Sequence, residues 1–137
     1  MIKDIIENWE KRKDVLRKEL EKRPIFNYTT LIKKIVEVIL NYDKVIYNIE
    51  NMTVIDDGDY QGTIIYIIPE KTYQPDVNEY IYTSLYYGSC SSCDTIQEIE
   101  MNYFFSISKE TYDTVINDLM MLSLHIIQKF KRLGDSE

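Results

Sequence analysis

The chain has 137 residues, of which 45% are hydrophobic and 28% are charged. This length suits one domain, and the apolar fraction excludes a disordered chain, because disordered chains carry too few apolar residues to form a core. No apolar stretch approaches the roughly 20 residues needed to cross a bilayer, and the charged N-terminus lacks the apolar centre of a signal peptide. We therefore expect a single domain over residues 1–137, in the cytoplasm and with no membrane partner.

The net charge of −7 is unevenly distributed along the chain. Residues 1–34 carry +4, residues 35–110 carry −10 and residues 111–137 carry −1. Because proteins bind nucleic acids largely through Lys and Arg that neutralise phosphates, the acidic middle argues against a nucleic-acid partner. The acidic surface either aids solubility alone or docks on a basic partner.

A first helix is predicted over residues 3–22, where four apolar residues recur at helical spacing: Ile5, Trp9, Leu16 and Leu20. Arg12 interrupts this stripe, so we expect residues 1–23 to form a peripheral helix and residues 24–137 to form the core. Trp9 then either anchors an interface with a partner or packs against the second helix.

The middle of the chain predicts one helix and then a sheet. The helix covers residues 31–42 and is expected to begin at a cap formed by Thr29 or Thr30. Three segments rich in β-branched and aromatic residues predict strands at residues 53–55, 63–68 and 79–87. An Asp-Gly pair between the first two strands is a strong hairpin signal.

Two further helices complete the predicted order. Asp94 is expected to cap a short helix over residues 95–104, and Ser108 a last helix that extends to about Arg132. The order α-α-β-β-β-α-α indicates an α+β fold, a small antiparallel sheet of about three strands flanked by two N-terminal and two C-terminal helices.

The standard catalytic motifs are missing from the sequence. Its four glycines are scattered singly, so there is no glycine-rich phosphate loop. The only histidine, His125, falls near the buried side of the last helix and is interpreted as structural. With His125 assigned a structural role, no histidine is left for a catalytic triad, and one histidine cannot supply a zinc site with two.

Cys90 and Cys93 form a C-x-x-C motif with three interpretations. The N-terminus of the helix that follows would lower a thiol pKa and support redox chemistry. Alternatively, zinc would take both thiolates and complete its four ligands from Asp94, Asp59 or a second chain. The third interpretation is a turn with two reduced thiols. Zinc is the only cofactor that the sequence suggests.

An acidic turn at residues 56–63 is expected to lie beside the cysteine loop. If the third strand runs antiparallel to the second, its end lies next to the start of the second strand. The turn and the loop would then form a polar pocket at one end of the sheet. The candidate ligand-binding residues are Asp57, Asp59, Tyr60, Gln61, Gly62, Tyr87, Gly88, Ser89 and Asp94.

Tyrosine is concentrated in the strands, since seven of the 12 tyrosines fall between residues 60 and 87. Tyr80, Tyr82 and Tyr86 share one face of the third strand. Because tyrosine is enriched at binding hot spots, these three are interface candidates. The alternative is cross-strand packing under a helix.

The segments DGDYQGT (57–63) and YGSCSSCDT (87–95) resemble paired elements of a family of small phage and bacterial proteins of unassigned function. Ser92 departs from the family pattern, which has glycine at that position. The resemblance covers residues 55–97 or so and implies that the two segments belong together. It also implies a phage context, which would place the protein in the cytoplasm of a host cell.

These features favour a non-enzymatic binding protein, a phage accessory protein that engages a host protein or a second copy of itself. The alternative is a small-molecule or metal-binding protein that uses the pocket between the acidic turn and the cysteine loop.

Overall fold

The computed structural model describes residues 2–58, 61–89 and 94–134. Two helices open the chain, α1 (Ile2–Lys22) and α2 (Tyr28–Ile35), and α2 continues into a π-helical turn at Val36–Leu40. Three strands follow: β1 (Thr53–Asp56), β2 (Gly62–Pro69) and β3 (Tyr80–Tyr87). The chain then forms α3 (Thr95–Phe104), α4 (Lys109–Lys129) and a short last strand β4 (Lys131–Arg132). No helix among the described residues is long and apolar enough to span a bilayer.

The α+β prediction is confirmed, but the sheet has four strands in the order β1-β2-β3-β4, each pair antiparallel. The added strand comes from residues that were expected to end the last helix. Phe130 takes an extended conformation and is fully buried, which ends α4 at Lys129. Lys131 and Arg132 then pair with Tyr82 and Ile81. Burial of the Phe130 ring thus turns the chain back onto the sheet edge.

Among the described residues, the helices cover one face of the sheet and leave the other face uncovered. Alternate residues of β2 and β3 belong to the buried core: Tyr66, Ile68, Ile81, Thr83 and Leu85. The residues between them are half-buried or exposed. Because neighbours along a strand point to opposite faces, the helical layer covers one side only.

Helix α1 packs on the core, which differs from the expected peripheral position. Leu16 and Leu20 are fully buried, and Trp9 is 6% exposed. The helix contacts α4 and the π-helical turn. Trp9 is therefore buried within the chain, as one of its two alternatives expects, but the groove that it lines is shared with Asn117 and Met120 of α4 and not with the second helix.

Arg12 explains how an interrupted apolar stripe is still buried. Its Nε donates a hydrogen bond to the Val38 carbonyl at 3.2 Å, and its guanidinium lies 5.4 Å from the centre of the Tyr42 ring. Carbonyls in the last turn of a helix lack partners within the helix. Arg12 on α1 supplies a donor for one such carbonyl, and its guanidinium group remains only partly buried.

The predicted caps are right for two helices and wrong for one. Asp94 caps α3 by accepting from the Gln97 N–H, and Ser108 caps α4 by accepting from the Thr111 N–H. Helix α2 begins earlier than expected, because the Asn27 side chain accepts from the Thr30 N–H at 3.0 Å. Asparagine is as good a cap as threonine, so Asn27 takes that position and Thr29 and Thr30 fall within the first turn.

Candidate functional site

The acidic turn and the start of the cysteine loop meet at one end of the sheet. The predicted pairing is confirmed, since Gly62 on β2 lies opposite Tyr87 on β3. The Tyr87 hydroxyl, which has one proton to donate, lies 2.6 Å from Asp56 Oδ1 and 2.7 Å from the Gly58 carbonyl oxygen. Tyr87 therefore holds the described part of the turn against the sheet.

The two described carboxylates of the turn form local hydrogen bonds. Asp56 accepts from the Gly58 N–H at 3.0 Å, and Asp57 accepts from the Thr63 N–H at 2.7 Å. The two sides of the turn approach each other so closely that Gly58 and Gly62 leave no room for a Cβ atom. A Cβ on Gly58 would lie 1.9 Å from the Gln61 carbonyl oxygen, and one on Gly62 would lie 2.6 Å from Asp57 Oδ1.

The pKa of Asp56 lies below its usual range, because the Tyr87 hydroxyl and then the Gly58 N–H hydrogen-bond to the charged carboxylate. Since the folded-state pKa is lowered, the stabilisation is complete above the unfolded pKa of about 4 and is lost as the pH falls through the folded pKa. The difference in unfolding free energy between wild type and Asp56→Asn should therefore shrink in acid. Urea unfolding across that pH range measures it.

Tyr87→Phe is the matched variant for this prediction. It removes the hydroxyl and keeps the ring, so the pH dependence assigned to Asp56 should weaken in the same acidic range. A difference between wild type and Asp56→Asn that stays constant through acid would contradict the assignment.

Asp94 anchors the other side of this region from a buried position. It is 4% exposed, and its carboxylate accepts from the Tyr28 hydroxyl at 3.0 Å, the Gly88 N–H at 2.9 Å and the Gln97 N–H at 3.1 Å. The Gln97 side chain also donates to the Gly88 carbonyl at 3.0 Å. Burial, followed by the nearby Asp94 carboxylate, raises the pKa of Tyr28 well above its usual value. Both oxygens of the Asp94 carboxylate therefore already accept hydrogen bonds from groups of the protein itself.

The remaining predicted pocket residues divide into two groups. Gln61 and Ser89 are exposed near the paired ends of β2 and β3. Four others lie outside the described residues: Asp59, Tyr60, Cys90 and Cys93. The zinc and redox interpretations of the two cysteines stay predictions.

The three tyrosines of β3 that were predicted as interface residues lie on the face of the sheet that the helices leave uncovered, so they do not pack under a helix. Tyr86 is 59% exposed, and Tyr80 and Tyr82 are half-buried. Strand register places their neighbours on the same face. We call this surface the open face, and its members on β1, β2 and β3 are Thr53, Ile55, Thr63, Ile65, Ile67, Tyr80, Tyr82, Ser84 and Tyr86, with Lys131 of β4 opposite Tyr82.

A second exposed apolar surface lies at the turn between α3 and α4. Phe104, Phe105 and Ile107 are 70%, 73% and 94% exposed, and we call them the apolar knob. Sequence reasoning ended a helix at Phe104 and did not single these residues out. The signal was present, since three large apolar residues fall directly before the Ser108 cap, where turns usually carry polar residues.

The apolar knob rests on an aromatic base. Tyr103 lies 6.1 Å from Phe104 and 5.1 Å from Phe26, measured between ring centres. Tyr112 also contacts Tyr103, and its hydroxyl donates to the Glu21 carbonyl. Along the chain, residues 98–113 contain four acidic side chains and one lysine, a charge of −3, and the basic Lys22 and Arg23 directly follow Glu21.

His125 is exposed, which corrects its assignment to the buried side of α4. It lines a shallow groove between α3 and α4 with Glu98, Asp118 and Met121. The buried side of α4 includes Leu122 and Ile126, and Ile126 directly follows His125 in the chain. A residue next to an apolar stripe in sequence lies about 100° round the helix and can face solvent.

Neither a family model, nor a curated protein, nor a solved structure matches this chain. The resemblance to a phage family therefore stays a prediction. What the protein does must be inferred from its described chemistry, and two exposed apolar surfaces dominate that chemistry, the open face and the apolar knob.

Proposed function

We propose that this protein is a non-enzymatic binding protein, a phage accessory protein that engages a host protein through the apolar knob. The observation that supports this function is the exposure of Phe104, Phe105 and Ile107 within four residues of chain. Isolated exposed apolar side chains are normal on protein surfaces, but contiguous ones mark interaction sites.

The energetics favour an apolar pocket as the surface that the knob enters. Full burial of a Phe or Ile side chain is worth about 1.5–3 kcal/mol, so the three together supply several kcal/mol toward association. Part of this is lost to the entropy of association. Tyr103 and Phe26 hold the base of the knob against the core, which reduces the ordering needed on binding.

Charge indicates the kind of partner. The net charge of −7, together with the charge of −3 carried by the segment 98–113, favours a partner whose surface carries an excess of Lys and Arg. The same charge disfavours an anionic membrane surface. Association should therefore slow as salt is raised, because screening weakens electrostatic steering.

Phe105→Ala should weaken binding to the host partner by at least about 30-fold if Phe105 is a hot spot of the interface. The matched control is Tyr73→Ala, since Tyr73 is 91% exposed and lies outside the knob. Wild type and both variants would be used as bait in lysate of the host, and each captured protein would then be titrated against all three by calorimetry.

The proposal requires that the partner discriminates between these variants. A partner that binds Tyr73→Ala like wild type and loses affinity for Phe105→Ala supports it. A partner that binds all three equally contradicts it. Thermal melts of the free proteins should coincide, because both side chains are exposed before binding.

A further inference from the structure

The open face of the sheet is chemically unusual for a solvent-facing surface. Antiparallel sheets that pack helices on one side normally present alternating polar residues on the other. Lys131 at the β4 edge is the one charged residue that the strand register places on this face, and the nine residues on β1, β2 and β3 are all uncharged, although 28% of the chain is charged. Three are isoleucines and three are tyrosines, and the rest carry hydroxyls: Thr53, Thr63 and Ser84.

The extent of this face is close to what a specific interface needs. The four strands contain 22 residues, which at spacings of about 3.3 Å along and about 4.8 Å between strands give roughly 350 Å² of flat sheet. Two such faces in contact would pair about 700 Å² of sheet plane, and side chains that project from it add to the buried surface, which places the contact near the lower bound of about 1,000 Å² for a specific interface.

The charge of the open face favours a second copy over another partner. Lys131 on β4 is the one charged residue on the open face, and it lies at the edge of the sheet. Elsewhere on this face, two copies can meet without bringing like charges together. A partner attracted by the net charge of −7 would instead be drawn to the acidic surfaces elsewhere.

The hydrogen-bonding groups of the open face also suit a copy of itself. Hydroxyls of tyrosine, serine and threonine both donate and accept, so a surface made of them is complementary to itself. Tyrosine is enriched in the buried centres of interfaces, where charged residues are depleted.

We propose that the open face is a homodimer interface, in which two copies stack their sheets across a two-fold axis. Such a contact is isologous, with the same patch on both chains, and two stacked sheets lie about 10 Å apart. The helical layer, which carries the apolar knob, stays on the outside of this sandwich. The inference therefore stands apart from the proposed host interaction.

Sedimentation equilibrium of the full chain tests this interface. Wild type should sediment with the mass of two chains at micromolar concentration. Ile55→Glu combined with Tyr86→Glu should raise the dissociation constant at least about 100-fold, because two charges would be buried without partners. Both side chains are exposed in the single chain, at 46% and 59%, so the double variant should still fold.

The matched control is Val54→Glu combined with Tyr73→Glu, which adds the same charges away from the open face. Val54 neighbours Ile55 on the opposite side of β1 and is 44% exposed. This control should remain dimeric. A wild type that is monomeric at about 100 µM, or a dimer that survives Ile55→Glu with Tyr86→Glu, would overturn the proposal. Neither result would affect the test of Phe105.

Discussion

Replacing Asp94 by alanine should lower the free energy of unfolding by about 3–5 kcal/mol. The carboxylate is 4% exposed and accepts from the Tyr28 hydroxyl, the Gly88 N–H and the Gln97 N–H. Hydrogen bonds to charged groups contribute about 1.5–3 kcal/mol each, and loss of an N-cap costs about 1 kcal/mol. These contributions are not fully additive, because water partly replaces the lost acceptor. Urea unfolding measures the change.

Asp94→Asn is the control that separates capping from the link to the loop. Asparagine caps helices as well as aspartate does, so one oxygen still accepts from the Gln97 N–H. Its amide nitrogen would replace the oxygen that faces the Gly88 N–H and cannot accept from it. We expect the unfolding free energy of Asp94→Asn to lie between that of wild type and that of Asp94→Ala. Equal stability of wild type and Asp94→Ala would contradict the anchoring role.

Replacing Phe130 by alanine should also cost about 3–5 kcal/mol. Phe130 is fully buried, and removal of a buried phenylalanine ring loses its transfer free energy and leaves a cavity. The ring lies where α4 ends and β4 begins, so the loss should extend to the pairing of β4 with β3. The Leu133 N–H, which donates to the Tyr80 carbonyl at 2.9 Å, should exchange with solvent faster than in wild type.

Leu133→Ala is the comparison for Phe130→Ala. Leu133 is 38% exposed and follows β4 directly, so its truncation should change the unfolding free energy by about 0.5 kcal/mol or less. If Phe130→Ala leaves both the unfolding free energy and the exchange of the Leu133 N–H unchanged, the ring does not hold the end of the chain on the sheet.

Much of the fold could be predicted from local patterns. Strands β2 and β3 follow from continuous runs of β-branched and aromatic residues, and their antiparallel pairing follows from a short connection. Asp94 and Ser108 were predicted as caps because a side-chain oxygen next to a helical pattern satisfies free N–H groups of the first turn. These interactions involve residues close together in sequence.

The candidate sites were predicted less completely. The strand face of Tyr80, Tyr82 and Tyr86 follows from a period of two, but the sequence left open which face the helices cover. The apolar knob was missed because an apolar run at a helix end resembles a core segment until its exposure is known.

The sequence by itself determined the order of α1 to α4 and β1 to β3, most of their bounds and the pairing of Gly62 with Tyr87, which brings the acidic turn to the start of the cysteine loop. Tertiary structure alone decided the fourth strand, the burial of α1 and the exposure of His125. Each of these depends on contacts between distant residues, as when Arg12 donates to the Val38 carbonyl or the buried Phe130 ring turns the chain onto β3. Periodicity reports which residues share a side of an element, and only packing decides what that side meets.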